Sequence, residues 1–588
     1  MHKIHLHKNV KAILLMLFIS VILLTPMLIH RTAILGIDSY FQLNRVYEAA
    51  MQIKHQNFSF LNLYSFQQSG RIVNETYSPL AGYFFGFLLL IAGNWFKFEI
   101  ISSLLIFFTA GISVYAALNK LKVSFKASIA TGALYMTSIS IYGYLLGGNW
   151  RALAMALVPL LVIPMVDFYH ANWSLKAMLR TGIIVAAVTQ MQLVTMILAL
   201  PVLIVPFLFG FFRSNQKLKA LLNGVLAAFT ALILSLNIIL PYLELAKNNT
   251  IVPPVAMQLD KVTMDLIVPK PDRLDLTVCG FVFYIAIAGL IMFWHKIAPI
   301  TRMISIFGII YIILGTSLLP WRSIGQHFIN LQNFLQMPIR FTLIGIPLLF
   351  IGTVAMFVEV AQFEKRENLK EVVSFIAITL SLISAGSFLV TLNNRVKQYK
   401  DPNVSIVQGL NTIDENAVVG QYKGKQLHNV TDLQPLLHTH DVSGLITSVD
   451  RITPDYLPVP VADYSKVKFY GEYRQEVAEQ RRHYQHVVKP NGVLELRWQG
   501  KQSGERTVPA VAYARTKVIF NQKKLDNDKL KVTPAGSLKL NQKQGQNVLK
   551  LQYVPAKATM LGVLVATFSW AIALIAIVVL AIRKRTQY

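Results

Sequence analysis

Twelve long apolar runs divide the chain, and they constrain its fold more than any other feature. Each is close to the roughly 20 residues that an α-helix needs to cross a bilayer. The runs cover residues 12–29, 100–118, 127–146, 152–168, 177–195, 197–212, 220–240, 276–294, 303–319, 341–360, 372–392 and 558–582. With 54% hydrophobic and only 14% charged residues, the composition excludes a soluble globular protein. We therefore predict an α-helical polytopic membrane protein with about 12 transmembrane helices.

The positive charges indicate how the helices are oriented. The net charge is +27, and much of the Lys and Arg lies in short segments between apolar runs. Such clusters are typical of cytoplasmic loops and of contact with anionic lipid headgroups, and they do not favour nucleic acid as a partner. Both termini are cytoplasmic if residues 79–93 form a helix at the outer surface. The alternative is a thirteenth span at 79–93.

Residues 393–557 have a different, more polar composition. Alternating runs at 493–498, 517–520 and 548–553 predict strands. We predict three parts: a transmembrane domain at 1–392 with a long first outer loop at 31–99, an extracellular β-rich domain at 393–557, and a last helix with a basic tail at 558–588. The single cysteine, Cys279, allows no disulfide within the chain, which favours a bacterial cell membrane.

The first outer loop begins with Gly36-Ile-Asp-Ser-Tyr-Phe-Gln-Leu-Asn-Arg45. Asp38 follows the first apolar run at the membrane boundary, where a carboxylate is well placed for chemistry on a membrane-held substrate. Arg45 comes seven residues later, which returns it near the same face of a helix. The alternative role for Asp38 is structural, as the cap of a helix that starts at Ser39.

Three further segments reach the same predicted boundary with polar side chains. Arginine binds phosphate bidentately and a carboxylate accepts a proton, so the set predicts a site for an anionic ligand held in the membrane. For the arginines, the alternative is contact with lipid headgroups. The candidates are Glu75 and Tyr77, Asn149 and Arg151, and Gln336 and Arg340.

These motifs resemble the GT-C class of polytopic membrane glycosyltransferases. The resemblance rests on the pattern G-x-D-x-x-F-x-L-x-R after the first helix and on Tyr77-Ser-Pro-Leu-Ala-Gly-Tyr83. More narrowly, the chain is similar to the bacterial YfhO-like membrane proteins in Leu335-Gln-Met-Pro-Ile-Arg-Phe341 and in the closing segments 532–540 and 545–555. Ser78 and Met337 depart from the family pattern.

The resemblance implies transfer of a sugar from a polyprenyl-phosphate carrier to a cell-surface glycopolymer, such as teichoic or lipoteichoic acid, on the outer face. Asp38 would be the general base, and Arg151 and Arg340 would bind the lipid phosphate. Glu75 would orient the acceptor or assist a divalent cation. The remaining substrate contacts would be Arg45, Tyr77, Asn149 and Gln336. Partner enzymes would make and flip the lipid-linked sugar.

The residues alone are also compatible with other functions. The sequence has no Walker-type phosphate loop, so we expect no nucleotide cofactor. A transporter or flippase of a lipid-linked substrate would need ionisable or broken helices near the bilayer midplane. The predicted spans hold few strongly polar residues, chiefly Asp167, Asn223 and Asn237. A non-catalytic cell-envelope assembly protein is the third alternative.

Overall fold

The computed structural model describes residues 8–148, 150–254, 257–265, 273–412, 416–460 and 468–586, and these are mostly helical. Among them, eight helices are long and apolar enough to cross a membrane, or nine if one bent pair forms a single span. The chain is thus a helical membrane protein, with a smaller β region toward its C-terminus. The eight are Trp95–Lys120, Phe125–Leu146, Arg151–Tyr169, Leu193–Arg213, Leu274–Lys296, Ile339–Phe363, Glu367–Gln398 and Lys557–Val579.

The helices are numbered in chain order. They are α1 (Lys8–Leu23), α2 (Thr25–His30), α3 (Ser39–His55), α4 (Pro79–Ala92), α5 (Trp95–Lys120), α6 (Phe125–Met136), α7 (Ile139–Leu146), α8 (Arg151–Leu157), α9 (Val162–Tyr169), α10 (Leu175–Met191), α11 (Leu193–Ala199), α12 (Pro201–Arg213), α13 (Lys217–Ile233), α14 (Leu236–Asn248), α15 (Leu274–Phe293), α16 (Pro299–Leu314), α17 (Trp321–His327), α18 (Ile329–Leu335), α19 (Ile339–Phe363), α20 (Glu367–Gln398), α21 (Ile406–Gly409), α22 (Val430–His438), α23 (Ser443–Ser448), α24 (Phe469–Tyr473) and α25 (Lys557–Thr586).

Four of the twelve predicted runs do not appear among the eight long helices, and each has a local reason. Run 12–29 is divided between α1 and α2, where a proline in the first turn of α2 removes a backbone donor. Run 177–195 is interrupted by the extended residue Gln192. Run 220–240 becomes α13 and α14, which are bent by 65° at their break. Run 303–319 gives α16, which has only 16 residues. The count of twelve spans stays a prediction.

Residues 79–93 form the predicted helix, α4. Its start is fixed by the Ser78 hydroxyl, which accepts a hydrogen bond from Ala81 N at 3.3 Å, and its end by Gly93, whose φ of 74° suits glycine. The 14 residues of α4 extend about 21 Å, less than the roughly 30 Å of a hydrocarbon core. This length favours a surface helix over a thirteenth span.

The chain forms two compact units. The first contains residues 8–31, 100–232 and 257–397, and therefore most of the long apolar helices. The second contains Thr32–Glu99, residues 233–254 and the described residues from Gln398 onward. The loop predicted to be outer, residues 31–99, thus belongs almost entirely to the same unit as the β region. The predicted boundaries at 392 and 557 do not include this grouping.

The second unit holds twelve described strands. They are β1 (Ala417–Val419), β2 (Gln421–Tyr422), β3 (Lys425–Gln426), β4 (Val449–Arg451), β5 (Gln485–Lys489), β6 (Val493–Gly500), β7 (Gly504–Val511), β8 (Thr516–Phe520), β9 (Lys523–Lys524), β10 (Lys531–Val532), β11 (Ser537–Gln542) and β12 (Gly545–Tyr553). The predicted strands at 493–498, 517–520 and 548–553 are confirmed as parts of β6, β8 and β12.

Two antiparallel sheets share one hydrophobic core. The larger has the order β5-β6-β12-β8-β9 and the smaller the order β10-β11-β7. Because side chains alternate along a strand, Leu494, Leu496 and Trp498 of β6 all point into this core. Leu61 and Leu63 of the loop at 31–99 are buried in the same core. That loop is therefore anchored by apolar packing against the sheets.

Glu244, near the end of α14, ties that helix to the last strand and the last helix. Its carboxylate accepts hydrogen bonds from Tyr553 Oη at 2.7 Å and from Ala556 N at 3.1 Å. Arg515 Nε lies 3.4 Å from the same carboxylate. Further along, Trp570 Nε1 donates to Leu234 O at 2.8 Å and satisfies a carbonyl at the break before α14. These bonds hold α14 and α25 together.

Tyr553→Phe should therefore destabilise the second unit. A buried hydrogen bond to a charged group contributes about 1.5–3 kcal/mol, and we expect a loss of that size in the free energy of unfolding. Denaturant titration of the purified protein in detergent measures it. Tyr242→Phe is the matched control, because Tyr242 is 41% exposed and should lose little. Equal losses in both variants would contradict a specific role for the bond.

Candidate functional site

Helix α3 presents an unusual set of buried polar side chains. Gln42, Asn44, Arg45, Glu48 and Gln52 are all buried on this one helix. Buried polar groups are costly unless they are hydrogen-bonded, so such a helix must be matched by polar partners from the segments around it. Those partners come largely from residues 59–78 of the same unit.

Asp38 stands at the N-cap position of α3, as its place in the sequence predicts. Its backbone has φ −97° and ψ −5°, and its side chain makes no capping hydrogen bond. The residue is half-buried, and it lies within electrostatic reach of the Arg451 guanidinium. The capping hydrogen bond, which was the alternative role for the Asp38 carboxylate, is therefore not formed.

Arg45, two turns further along α3, is held from several sides. Its guanidinium donates to Asn74 Oδ1 at 3.1 Å, to Gln42 Oε1 at 2.9 Å and to Ser78 O at 3.4 Å. It also lies over the ring of Tyr77, 4.6 Å from the centroid. Burial lowers the pKa of Arg45 to about 10, with smaller opposing effects from Tyr77 and Glu75. The side chain therefore remains a cation at neutral pH.

Glu75 brings a second ionisable group to this cluster. It is only 3% exposed, and its Oε2 has no hydrogen-bond partner among the described residues. Burial raises the pKa of Glu75 well above its ordinary value, although the charge of Arg45 acts in the opposite direction. Burial thus favours the neutral form of this carboxyl, which can donate a hydrogen bond.

Glu48, one turn beyond Arg45, shows a different use of a buried carboxylate. It accepts hydrogen bonds from the backbone N–H groups of Leu63, Tyr64 and Ser65 at 2.7–2.9 Å and from Gln52 Nε2 at 2.9 Å. With its oxygens occupied in this way, Glu48 fixes the loop. Glu75, in contrast, has one oxygen without a hydrogen-bond partner among the described residues.

The raised pKa of Glu75 predicts a pH-dependent stability. Above its ordinary pKa of 4.5, the unfolded chain releases a proton that the folded protein keeps, so the free energy of unfolding falls as the pH rises. The slope approaches about 1.4 kcal/mol per pH unit. Unfolding titrations between about pH 5 and 8 should show this fall in the wild type and a flatter profile in Glu75→Gln. Glu505→Gln, at a half-exposed surface carboxylate, should follow the wild type. Parallel profiles for wild type and Glu75→Gln would contradict the buried proton.

Other predicted residues lie in the first unit. Arg340 is buried near the start of α19 and donates to Leu335 O at 2.8 Å and Gln336 Oε1 at 2.7 Å. Gln336 has a φ of 60°, a left-handed conformation that is strained for a side chain of this kind and that is found preferentially at functional sites. Arg151 is half-buried at the start of α8, 5.8 Å from the centroid of the Tyr144 ring. Asn149 lies outside the described residues.

The structure therefore brings Arg45, Glu75 and Tyr77 together, with Asp38 earlier on the same helix. It separately joins Gln336 to Arg340. Sequence reasoning missed Asn74 and Gln42, which orient Arg45. It also missed Tyr456, whose ring lies edge-on to Tyr77 with the centroids 5.4 Å apart. Asn74 and Gln42 do stand beside predicted site residues, but no local pattern brings Tyr456 from the distant C-terminal region to this place.

Residues 66–68, which precede Glu75 in the same loop, form a strained segment. Phe66, Gln67 and Gln68 all have positive φ, at 48°, 59° and 50°, and each such residue costs about 1–2 kcal/mol. Gln67 Nε2 donates to the buried Asp450 at 2.9 Å, and Tyr473 Oη donates to Gln67 Oε1 at 2.8 Å. The strain persists because these bonds fix the segment.

The described residues contain no group of three or more His, Cys, Asp or Glu side chains that could hold a metal ion. No protein-family model matches the sequence. No curated protein matches it either. The function of this protein is therefore inferred from its residues and from the geometry described above.

Proposed function

We propose that this protein is a membrane glycosyltransferase that moves a sugar from a polyprenyl-phosphate carrier to a cell-surface glycopolymer. In this proposal it lies in a bacterial cell membrane with both termini in the cytoplasm and its active site on the outer face. The observation that most directly supports this proposal is the position of Asp38. Its carboxylate is half-buried at the start of the polar helix α3 and makes no capping hydrogen bond. A carboxylate at this position can act as a general base.

The proposed reaction is a displacement at the anomeric carbon. A hydroxyl of the acceptor attacks C1, Asp38 takes the hydroxyl proton, and the bond from C1 to the phosphate oxygen breaks. The polyprenyl phosphate leaves with the electron pair, and the sugar is inverted at C1. A positively charged donor beside the leaving phosphate would stabilise the negative charge that develops on it, an effect worth about 3 kcal/mol for one well-placed donor.

Arg45 and Glu75 would prepare the acceptor side. Glu75, whose neutral form is favoured by burial, would donate a hydrogen bond to an acceptor oxygen through its Oε2. Arg45 would keep the polar face of α3 in place through its three hydrogen bonds and its stacking on Tyr77. An ordered hydroxyl-binding site of this kind favours attack by an alcohol over attack by water.

One observation favours a second function. The 65° bend between α13 and α14 is a broken helix of the kind that transporters use near their substrates. A flippase for a lipid-linked substrate is therefore the competing proposal.

Reconstituted proteoliposomes distinguish the two functions. The protein is purified, reconstituted with polyprenyl phosphate carrying a radiolabelled sugar, and supplied with an extract of surface polymer from cells that lack the protein. A transferase incorporates label into the polymer. A flippase moves labelled lipid between leaflets without forming a new bond, and an assembly protein does neither. Absence of incorporation with both leaflets accessible would overturn the proposed transfer.

A further inference from the structure

The outward face of the five-stranded sheet carries a concentration of positive charge. Strand alternation and pairing define this face, because the opposite face fills the shared core. In one row across the sheet, Val487, Glu495, Lys550, Ile519 and Lys524 are paired neighbours. In the next row the neighbours are Lys489, Val493, Gln552 and Lys517. A third row contains the paired neighbours Gln485, Arg497 and Val548.

We name this surface the basic face and define it by its cations: Lys489, Arg497, Lys517, Lys524 and Lys550. Its one carboxylate, Glu495, is already engaged, since Arg497 pairs with its Oε1 and Lys550 Nζ lies 3.4 Å from its Oε2. The face therefore keeps a net charge of about +4 at neutral pH. Lys517 and Lys524 are exposed, and Lys550 is 47% exposed.

The spacing of these cations suits an extended ligand. Neighbouring strands lie about 4.8 Å apart, so Lys489 and Lys517, three strands from each other, are separated by about 14 Å across the sheet. A single phosphate cannot bridge such a distance. A linear chain with repeated negative groups can contact several of the cations at once and release counterions from each contact.

The composition of the face argues against nucleic acid. Proteins that bind single strands stack aromatic side chains on the bases. In this sheet, the aromatic residues Trp498, Phe520 and Tyr553 all point into the core. The outward positions between the cations hold no aromatic side chain. They hold the apolar residues Val487, Val493, Ile519 and Val548 together with the amides Gln485, Gln546 and Gln552, and amides can hydrogen-bond to phosphate or hydroxyl oxygens.

We infer that the basic face binds a linear, phosphate-bearing polymer that lacks bases. The inference rests on the proposed function where it identifies this polymer as the acceptor. As a binding surface it is independent of turnover. A flat, multivalent contact would hold a long acceptor near the protein through many weak, salt-sensitive interactions.

The test is a binding measurement on the full chain in nanodiscs of zwitterionic lipid, which remove competition from anionic headgroups. Fluorescently labelled linear polyphosphate is the probe, and anisotropy is recorded at several salt concentrations. The wild type should bind, and Lys517→Gln/Lys524→Gln/Lys550→Gln should bind at least tenfold more weakly. The slope of log affinity against log salt should fall by about 2, since each lost phosphate contact contributes about 0.7.

A second triple variant controls for the loss of charge. Lys529→Gln/Lys531→Gln/Lys539→Gln removes the same charge beside and on the three-stranded sheet, and it should bind like the wild type. No binding by the wild type, or equal loss in the two triple variants, would overturn the inference. Tighter binding of an oligothymidylate with the same number of phosphates would identify a nucleic-acid surface instead.

The two proposals fail separately. Asp38→Asn protein should still bind polyphosphate, because Asp38 is not part of the basic face. Binding without sugar transfer in the wild type would overturn the proposed function alone. Transfer without polymer binding would overturn this inference alone.

Discussion

Asp38→Asn is expected to reduce sugar transfer by roughly 10²–10⁴-fold, the contribution of a positioned general base. Asparagine has nearly the same shape and is a good N-cap residue, but it cannot take a proton from the acceptor. Because the Asp38 side chain makes no capping bond, the substitution should not weaken the start of α3. The measurement is the initial rate of label incorporation in proteoliposomes, with the amount of folded protein determined in parallel.

A matched control comes from a helix cap that does perform its structural role. The Ser174 hydroxyl at the start of α10 accepts from Ala177 N, so Ser174→Ala should lower the free energy of unfolding by about 1 kcal/mol while transfer continues. The two variants thus give opposite results for rate and stability. Wild-type transfer by Asp38→Asn would exclude Asp38 as the base.

Arg45→Met is expected to have the largest effect on stability, about 3–5 kcal/mol. The substitution keeps an unbranched side chain but leaves Asn74 Oδ1 and Gln42 Oε1 without the donor that Arg45 supplies. Each buried acceptor left unsatisfied costs about 1–3 kcal/mol. Denaturant titration in detergent measures the loss, and the yield of folded protein from membranes should fall with it.

Arg322→Met serves as the control for Arg45→Met, since Arg322 is exposed on the short helix α17. Its removal should change the free energy of unfolding by less than about 0.5 kcal/mol. An Arg45→Met protein as stable as this control would show that Arg45 is not needed to complete the polar face of α3.

The sequence predicts elements whose signals are local. The lengths of the apolar runs predicted the eight long helices, because a helix that crosses a membrane needs a long apolar stretch. The alternation of apolar and polar residues predicted β6, β8 and β12, because each strand buries one face. Breaks inside apolar runs are harder to predict. The composition around Gln192 does not predict that this residue is extended and ends α10. Hydropathy alone does not predict the angle between α13 and α14.

The candidate site was only partly predictable for a related reason. Asp38 and Arg45 are seven residues apart on one helix, so periodicity alone brings them near one face. The partners of Gln67 are Asp450 and Tyr473, from segments almost four hundred residues away. Such contacts depend on the tertiary fold. The open oxygen of Glu75 also became evident only from the structure, because burial and lack of a partner are not properties of sequence.

The order of strands has a consequence for how cells make this protein. β12 lies between β6 and β8 in the larger sheet, although it follows both of them in the chain and is synthesised after them. Until residues 545–553 have been translated, β6 and β8 each expose an edge that invites pairing with other chains. A ribosome that stalls shortly before this segment would therefore release a chain with two open edges, a substrate for proteolysis at the membrane.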